Sequence, residues 1–145
     1  MSGLSHVDEN GRSRMVDVSD KPATARTAGA RGHVTCSAGT LDRVRAGATP
    51  KSGVIQTAEL VPLCHPLPLT HIEVRIDIDD ALPGFRIESE VRTKAETGVE
   101  MEALTAVAVA GLTLFDMLKA IDRMMVIGGI EVTSKAGGKS GSWLR

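Results

Sequence analysis

The side chains whose types are best suited to take part in a reaction lie in a proline-rich segment at residues 62–68. Here a thiol, Cys64, stands next to an imidazole, His65. Prolines restrict the backbone and remove amide donors, so this segment is rigid and unsuited to a central strand. A histidine on such a loop can donate to phosphate or transfer protons near neutral pH. The alternative is structural, with Cys64 buried as a small apolar group. Zinc is disfavoured because no second pair of ligands follows at metal-binding spacing.

A second group of charged side chains lies in a long apolar stretch. Glu102, Asp116 and Lys119 are surrounded there by Ala, Val, Leu and Met. At about 100° and about 1.5 Å per residue, all three lie on one side of a helix, but Glu102 and Asp116 are about 21 Å apart. If both act on one small ligand, a second chain must supply one of them. The alternative is a surface ion pair of Asp116 and Lys119 at i,i+3, with Glu100 on the opposite side as a helix cap.

Two lysines, Lys135 and Lys139, lie in a Gly- and Ser-rich segment near the end of the chain. Glycines let backbone amides approach an anion and lysines neutralise it, so the pattern is typical of a phosphate clamp. It is not a Walker A motif, because the strand-loop-helix context and the position of the lysine differ. The alternative is a solvated tail.

Alternating apolar and charged residues predict the strands that position these groups. Residues 69–79 and 85–92 form a hairpin with a turn at 81–84. Its charged face, which includes Arg75 and Glu88, is expected to be solvated or to contact another subunit. Residues 126–132 predict a final strand, in which two glycines permit a bulge or a close contact.

Helices are predicted around this hairpin. Residues 97–100 have the spacing of a capping box, which predicts a helix from there to about Arg123. A shorter helix is predicted at residues 40–46, starting at Ser37 or Thr40. Residues 33–36 are expected to form a strand, and residues 15–18 a short one.

These elements predict an α+β fold, a ferredoxin-like sandwich with a mainly antiparallel sheet and helices packed on one face. Residues 1–30 are expected to be a mostly flexible segment and residues 31–133 a single catalytic domain. Residues 134–145 are expected to be a flexible tail, rich in Gly and Lys, that belongs to the active site.

Composition limits the classes of function. The chain has 145 residues, enough for one domain, and its net charge of −1 does not favour nucleic acid or an acidic membrane surface. With two Phe, one Trp and no Tyr, it cannot build a stacking platform for single strands. Residues 103–118 are too short and too interrupted by polar residues for a comfortable membrane span. The absence of a signal-peptide pattern and the two cysteines predict a cytoplasmic protein with free thiols.

Several motifs together resemble one protein family. They are His6 with residues 15–18, residues 60–67 around Cys64 and His65, residues 97–106, residues 115–120 and residues 135–141. In this combination they are similar to the MoaC family over nearly the whole chain. The segments at 62–67 and 97–106 are the most specific.

The resemblance implies a function and a set of site residues. It implies a lyase without a cofactor or metal that converts 3',8-cyclo-7,8-dihydro-GTP to cyclic pyranopterin monophosphate in molybdenum cofactor biosynthesis, releasing diphosphate. Asp116 and Lys119 match the family's catalytic acid/base pair, and Lys51 matches a further catalytic position. The positions that match substrate-binding residues are Leu63, Cys64, His65, Glu100, Met101, Glu102, Lys135 and Lys139. It also implies a homohexamer, a trimer of dimers with sites at dimer interfaces, and no nucleic-acid or membrane partner.

The chain departs from the family pattern between Lys51 and Thr57. Only five residues lie there, where the family usually has roughly a dozen more. One hypothesis is that disordered residues are missing from the printed sequence. The alternative function is a catalytically inactive oligomeric module of the same fold that binds a nucleotide or a protein partner.

Overall fold

The computed structural model of the chain describes residues 15–43 and 66–145. Within these residues, five strands and two helices follow one another in the order β1-α1-β2-β3-α2-β4-β5. Their bounds are β1 Thr24–Thr35, α1 Ala38–Arg43, β2 Leu69–Asp79, β3 Gly84–Ala95, α2 Glu100–Leu118, β4 Val126–Ala136 and β5 Trp143–Leu144.

The strands form one antiparallel sheet with the spatial order β2-β3-β1-β4-β5. The first six elements follow the β-α-β-β-α-β order of ferredoxin-like folds, which confirms the predicted α+β class. The β2–β3 hairpin also forms as predicted, with Ile76 opposite Ile87. Its turn is stabilised by the Asp79 carboxylate, which accepts hydrogen bonds from the amides of Ala81 at 2.9 Å and Leu82 at 3.2 Å.

Small residues let α2 pack closely on one face of the sheet. Ala28 and Ala30 of β1 are buried together with Ala103, Ala106 and Ala110 of α2. The hydroxyl of Ser89 in β3 donates to the carbonyl of Ala103 at 2.8 Å. By length and composition α2 could cross a bilayer, but the buried core helix of a globular protein meets the same criterion.

The charged side chains of the hairpin lie on the opposite face of the sheet, away from α2. Arg75 and Glu88 are directly opposite each other and pair at 2.7 Å. Both are exposed, as predicted for a solvated or inter-subunit face.

The first strand differs from the prediction. Residues 15–18 are not a strand, and β1 begins at Thr24 instead of His33. Tertiary pairing explains the earlier start, because β1 lies between β3 and β4 and both strands pair along it. In the same way β4 continues past 132 to Ala136, so paired strands extend beyond the segment boundaries expected at 30 and 134. The predicted irregularity at the glycines of β4 is confirmed by a register shift opposite Arg31 and His33.

The predicted capping box is wrong, although the helix begins where expected. Val99 is the N-cap of α2 and makes no side-chain capping bond. The Glu100 carboxylate, which a capping box would turn back to the amide of Thr97, instead lies over Gly98 and pairs with Lys135. An ion pair with another strand therefore replaces the local cap.

The helix also ends earlier than predicted, at Leu118 instead of near Arg123. The chain turns there, and the Asp122 carboxylate accepts a hydrogen bond from the amide of Ser37 at 2.8 Å. Ser37 is also the cap of α1, since its hydroxyl accepts from the amide of Thr40 at 3.3 Å. This confirms one of the two predicted start positions of the short helix, which begins at Ala38.

Candidate functional site

A cavity of about 530 Å³ lies where the start of β1, the start of α2 and the β4–β5 connection meet. We call it the cationic pocket. Among the described residues that line it, four of ten are basic and none is acidic, so it is suited to a multiply charged anion. The lining residues are Lys21, Pro22, Thr24, Arg26, Thr97, Gly98, Lys135, Gly138, Lys139 and Ser140.

Arg26 is the most buried cation of this pocket, with 8% of its surface exposed. It lies on the same face of β1 as Ala28 and Ala30, because side chains alternate along a strand. Its Nε donates to the carbonyl of Ala95 at 2.8 Å, which fixes the guanidinium at the base of the cavity. A guanidinium so held keeps further donors for a phosphate.

Glycines bring the lysine segment close to this guanidinium. Gly137 and Gly138 have φ of 88° and 83°, a left-handed conformation that side chains disfavour. A Cβ atom on Gly138 would lie 2.2 Å from Nη1 of Arg26, and one on Gly137 would lie 2.3 Å from the carbonyl of Ala25. The two glycines therefore allow the chain to fold over Arg26 and carry Lys139 to the pocket.

Lys135 connects the pocket to α2. Its Nζ lies 2.7 Å from a carboxylate oxygen of Glu100, and both side chains are about a quarter exposed. Two residues matched to substrate binding by resemblance are thus in direct contact. Met101, next to Glu100 on α2, is partly exposed.

Asp116 and Lys119 lie at the other end of α2. Their side chains pair at 2.5 Å, and the Asp116 side chain is 74% exposed. Beside them is a separate cavity of about 410 Å³, lined by Phe115, Lys119, Ala120 and Arg123. Sixteen residues at about 1.5 Å each separate Asp116 from Glu100 by about 24 Å along the helix. A single chain does not bring the two ends to one small ligand.

Glu102 does not share the surroundings of Asp116, although spacing places both on one side of the helix. Glu102 is buried, with 4% exposed, whereas Asp116 and Lys119 are exposed. Direction around a helix does not determine burial along it, because the sheet and loops cover only part of its length. Glu102 lies at the same end of α2 as the Glu100–Lys135 pair.

Four predicted site residues, Lys51, Leu63, Cys64 and His65, lie outside the described residues. Cys36 is a free thiol, and burial followed by the nearby Asp122 carboxylate raises its pKa, so it is not an activated nucleophile. Among residues 15–43 and 66–145, no three His, Cys, Asp or Glu side chains are close enough to hold a metal ion.

Sequence reasoning missed two basic residues of the pocket, Lys21 and Arg26. Both were assigned to a segment expected to be mostly flexible. The sequence carries no local signal for the part of β1 that holds Arg26, since Thr24 to Ala30 contains only small residues and arginine.

Comparison with known proteins identifies the family. The family model described as "MoaC family" matches residues 15–138. A protein of Cereibacter sphaeroides (strain KD131 / KCTC 12085), named cyclic pyranopterin monophosphate synthase, is 52% identical over 153 residues, which cover 97% of this chain and 96% of its own. Proteins of the same name from Thermomicrobium roseum and Nostoc sp. (strain PCC 7120) are 51% and 50% identical, covering 95% and 92% of their own lengths.

The alignments also bear on the short segment after Lys51. The alignment with the Thermomicrobium roseum protein spans 157 positions and includes all 145 residues of this chain. About a dozen positions of the relative therefore have no counterpart here, which agrees in size with the departure seen in the sequence. With a family match over residues 15–138 and relatives about half identical over nearly their full length, the chain belongs to the MoaC family.

Proposed function

We propose that this chain is a lyase, cyclic pyranopterin monophosphate synthase, which converts 3',8-cyclo-7,8-dihydro-GTP to cyclic pyranopterin monophosphate and releases diphosphate. The names of its relatives support the activity. The observation that carries the proposal is the cationic pocket, whose lining within residues 15–43 and 66–145 has four basic and no acidic side chains. A substrate with a triphosphate and a diphosphate leaving group needs such a concentration of positive charge.

We propose different roles for the four basic residues of the pocket. Arg26, held by the Ala95 carbonyl, offers a planar fork of donors to phosphate oxygens. Lys21 and Lys139 line the same cavity and neutralise the charge that develops on the leaving diphosphate. Lys135 is held by Glu100, so its ammonium is positioned before the substrate arrives.

Asp116 and Lys119 supply the proton transfers that ring rearrangement requires. A carboxylate and an ammonium in contact provide an acceptor and a donor of different basicity. Both are exposed in the single chain and become a useful acid/base pair only where a surface covers them. Lys51 is proposed to assist this chemistry, and Leu63, Cys64, His65, Met101 and Glu102 to contact the substrate.

The covering surface is proposed to be a second copy of the chain. The two half-sites lie about 24 Å apart on one helix, too far for one small substrate. The outer face of α2 exposes Met101 and Leu112, large apolar side chains that a partner would bury. A two-fold interface would place the Asp116–Lys119 end of one copy beside the cationic pocket of the other. We propose a homohexamer, a trimer of such dimers, in the cytoplasm.

The activity is tested by incubating the purified protein anaerobically with 3',8-cyclo-7,8-dihydro-GTP. Diphosphate and the fluorescent oxidised pterin are followed together for wild type and Lys119→Ala. A matched control is Lys94→Ala, which removes an exposed lysine that lines neither cavity. Both products from wild type and the control, and neither from Lys119→Ala, support the proposal. Absence of product from folded wild-type oligomer contradicts it.

The shared site is tested by complementation between two inactive variants. Lys119→Ala and Lys135→Ala are unfolded together and refolded as a mixture. If each site takes Lys119 from one copy and Lys135 from the other, half of the dimers are mixed and each has one intact site. About a quarter of wild-type activity should then return. A mixture as inactive as its components would show that both lysines act from the same chain.

The second candidate function is a module that binds its ligand without turnover. About a dozen positions of the Thermomicrobium roseum protein have no counterpart in this chain. A loss of this size in the segment after Lys51, which the family resemblance associates with function, favours this alternative. Calorimetric binding of the substrate by wild-type protein, without release of diphosphate, would support this alternative. The mass of the protein purified from its natural source decides whether the short segment is real.

A further inference from the structure

We propose that Arg145 is a positioning residue, which fastens β5 to β4 through Glu131 and so holds Lys139, in the loop between these strands, at the cationic pocket. This inference rests on the proposed function of that pocket. The β4–β5 hairpin is the segment from β4 through residues 137–142 to β5, and its loop carries both Lys139 and Ser140 into the pocket lining.

The loop itself has little to define its conformation. Three of its residues, Gly137, Gly138 and Gly141, have positive φ. Glycine loses the most conformational entropy on ordering, so such a loop is ordered only if its ends are held. Within the described residues, one backbone hydrogen bond crosses the loop, from the amide of Gly141 to the carbonyl of Gly138 at 3.2 Å. The position of Lys139 therefore depends on the two strands.

β4 is held firmly in the sheet by its pairing, whereas β5 is not. β4 pairs with the central strand β1 over most of its length, whereas β5 has two residues at the edge of the sheet. Neither of its side chains is buried, since Trp143 is 40% and Leu144 83% exposed. A two-residue ladder without apolar burial is marginal by itself. Further contacts are required to keep β5 in place.

Arg145 supplies those contacts. Its amide donates to the carbonyl of Thr133 at 2.8 Å, which extends the ladder by one bond. Its Nη1 lies 2.5 Å from a carboxylate oxygen of Glu131, and its guanidinium lies 6.0 Å from the centre of the Trp143 ring. One residue thus contacts both β4 and β5.

Glu131, the partner of Arg145, lies in β4, which is held by its pairing with β1, and its carboxylate also contacts β1. The other carboxylate oxygen of Glu131 pairs at 2.5 Å with Arg31 of β1. Hydrogen bonds from Arg31 and then from Arg145 lower the pKa of Glu131, so the carboxylate stays ionised at neutral pH. Arg31 and Arg145 therefore pair with the same carboxylate and are equally exposed, but Arg31 lies on β1 and only Arg145 connects β5 to β4. They form a matched pair of variants.

The test compares Arg145→Ala with Arg31→Ala in the full chain. Hydrogen exchange of the peptide spanning residues 137–142 measures how well the loop is ordered. Calorimetry with inorganic diphosphate measures the affinity of the cationic pocket for that anion. Acrylamide quenching reports on β5, because Trp143 is the only tryptophan of the chain. For Arg145→Ala we expect faster exchange, stronger quenching and a two- to fivefold weaker diphosphate affinity, about the effect of one exposed ion pair.

Two further results separate positioning from a general loss of structure. In the synthase assay KM for the substrate should rise by the same factor as the diphosphate Kd, with kcat unchanged. Arg145→Lys, which keeps the charge, should recover most of the affinity. Wild-type exchange and affinity in Arg145→Ala, or equal losses in Arg31→Ala, would overturn the proposal. Exchange, quenching and diphosphate binding do not require turnover, so they test it even if the chain proves to be inactive as a synthase.

Discussion

The contact between Gly138 and Arg26 leads to a quantitative prediction. In Gly138→Ala the new Cβ would lie 2.2 Å from Nη1 of Arg26, in a residue with φ of 83°. The backbone strain alone costs roughly 1–2 kcal/mol, of which reduced freedom of the unfolded chain returns about half. The guanidinium must also move, which breaks its hydrogen bond to the Ala95 carbonyl, worth about 1.5–3 kcal/mol for a charged donor. We expect a total loss of about 3 kcal/mol in the free energy of unfolding.

Gly141→Ala is the matched control. Gly141 lies in the same loop with φ of 72°, but a Cβ there meets no atom within 4 Å. Gly141→Ala should therefore be destabilised by backbone strain alone, by about 1 kcal/mol. Urea-induced unfolding at one fixed protein concentration gives both values, since the stability of an oligomer depends on concentration.

Diphosphate binding checks the same contact at the level of function. Displacing Arg26 should weaken the diphosphate affinity of Gly138→Ala by about tenfold or more, the loss of one charged hydrogen bond. The reasoning is refuted if Gly138→Ala and Gly141→Ala are destabilised equally, within about 0.5 kcal/mol. It is also refuted if Gly138→Ala binds diphosphate as wild type does, because the guanidinium would then not be displaced.

Two further predictions concern the fold that carries the site. In Gly32→Ala the new Cβ would lie 2.7 Å from Cγ1 of Val107, so chemical unfolding should show a loss of about 1–3 kcal/mol, whereas Gly39→Ala, with open space around it, should not destabilise. Equal stabilities would show that α2 is not packed closely on the sheet. Asp122→Ala should destabilise at neutral pH, because hydrogen bonds led by the amide of Ser37 lower the pKa of that carboxyl in the folded state. This contribution to stability is complete above the pKa that Asp122 has in the unfolded chain, and it is lost as the pH falls through the pKa of the folded state. The difference in stability between wild type and Asp122→Ala should therefore disappear in acid. A difference that does not change with pH would contradict this reasoning.

The elements that could be predicted from the sequence are those with strong local signals. The β2–β3 hairpin alternates large apolar and charged residues, and α2 combines helix-forming residues with an apolar core. The first half of β1 has neither signal, because Thr24 to Ala30 contains only small residues and arginine. Its strand conformation is imposed by two neighbouring strands, and small residues are required there by the close approach of α2.

The residues of the candidate site also divide into those with a local sequence signal and those without one. Lys135 and Lys139 could be selected from sequence because glycines surround them, and both line the pocket. Arg26 could not be selected, since its role depends on a carbonyl 69 residues away in β3. The capping box failed for a related reason, because Glu100 pairs with a strand that is distant in sequence.

The arrangement along α2 is the structural argument for the proposal that two chains complete each site. The helix carries Glu100 at one end and Asp116 near the other, and its rigidity keeps them about 24 Å apart whatever the side-chain conformations. If Asp116 and Lys119 act on a substrate bound in the cationic pocket, as proposed, a second chain must supply its own copy of the pair. A two-fold axis across the exposed apolar face of α2 meets this requirement twice, once for each site. In such an assembly dilution below the dimer dissociation constant should abolish turnover while diphosphate binding to the pocket of each copy persists.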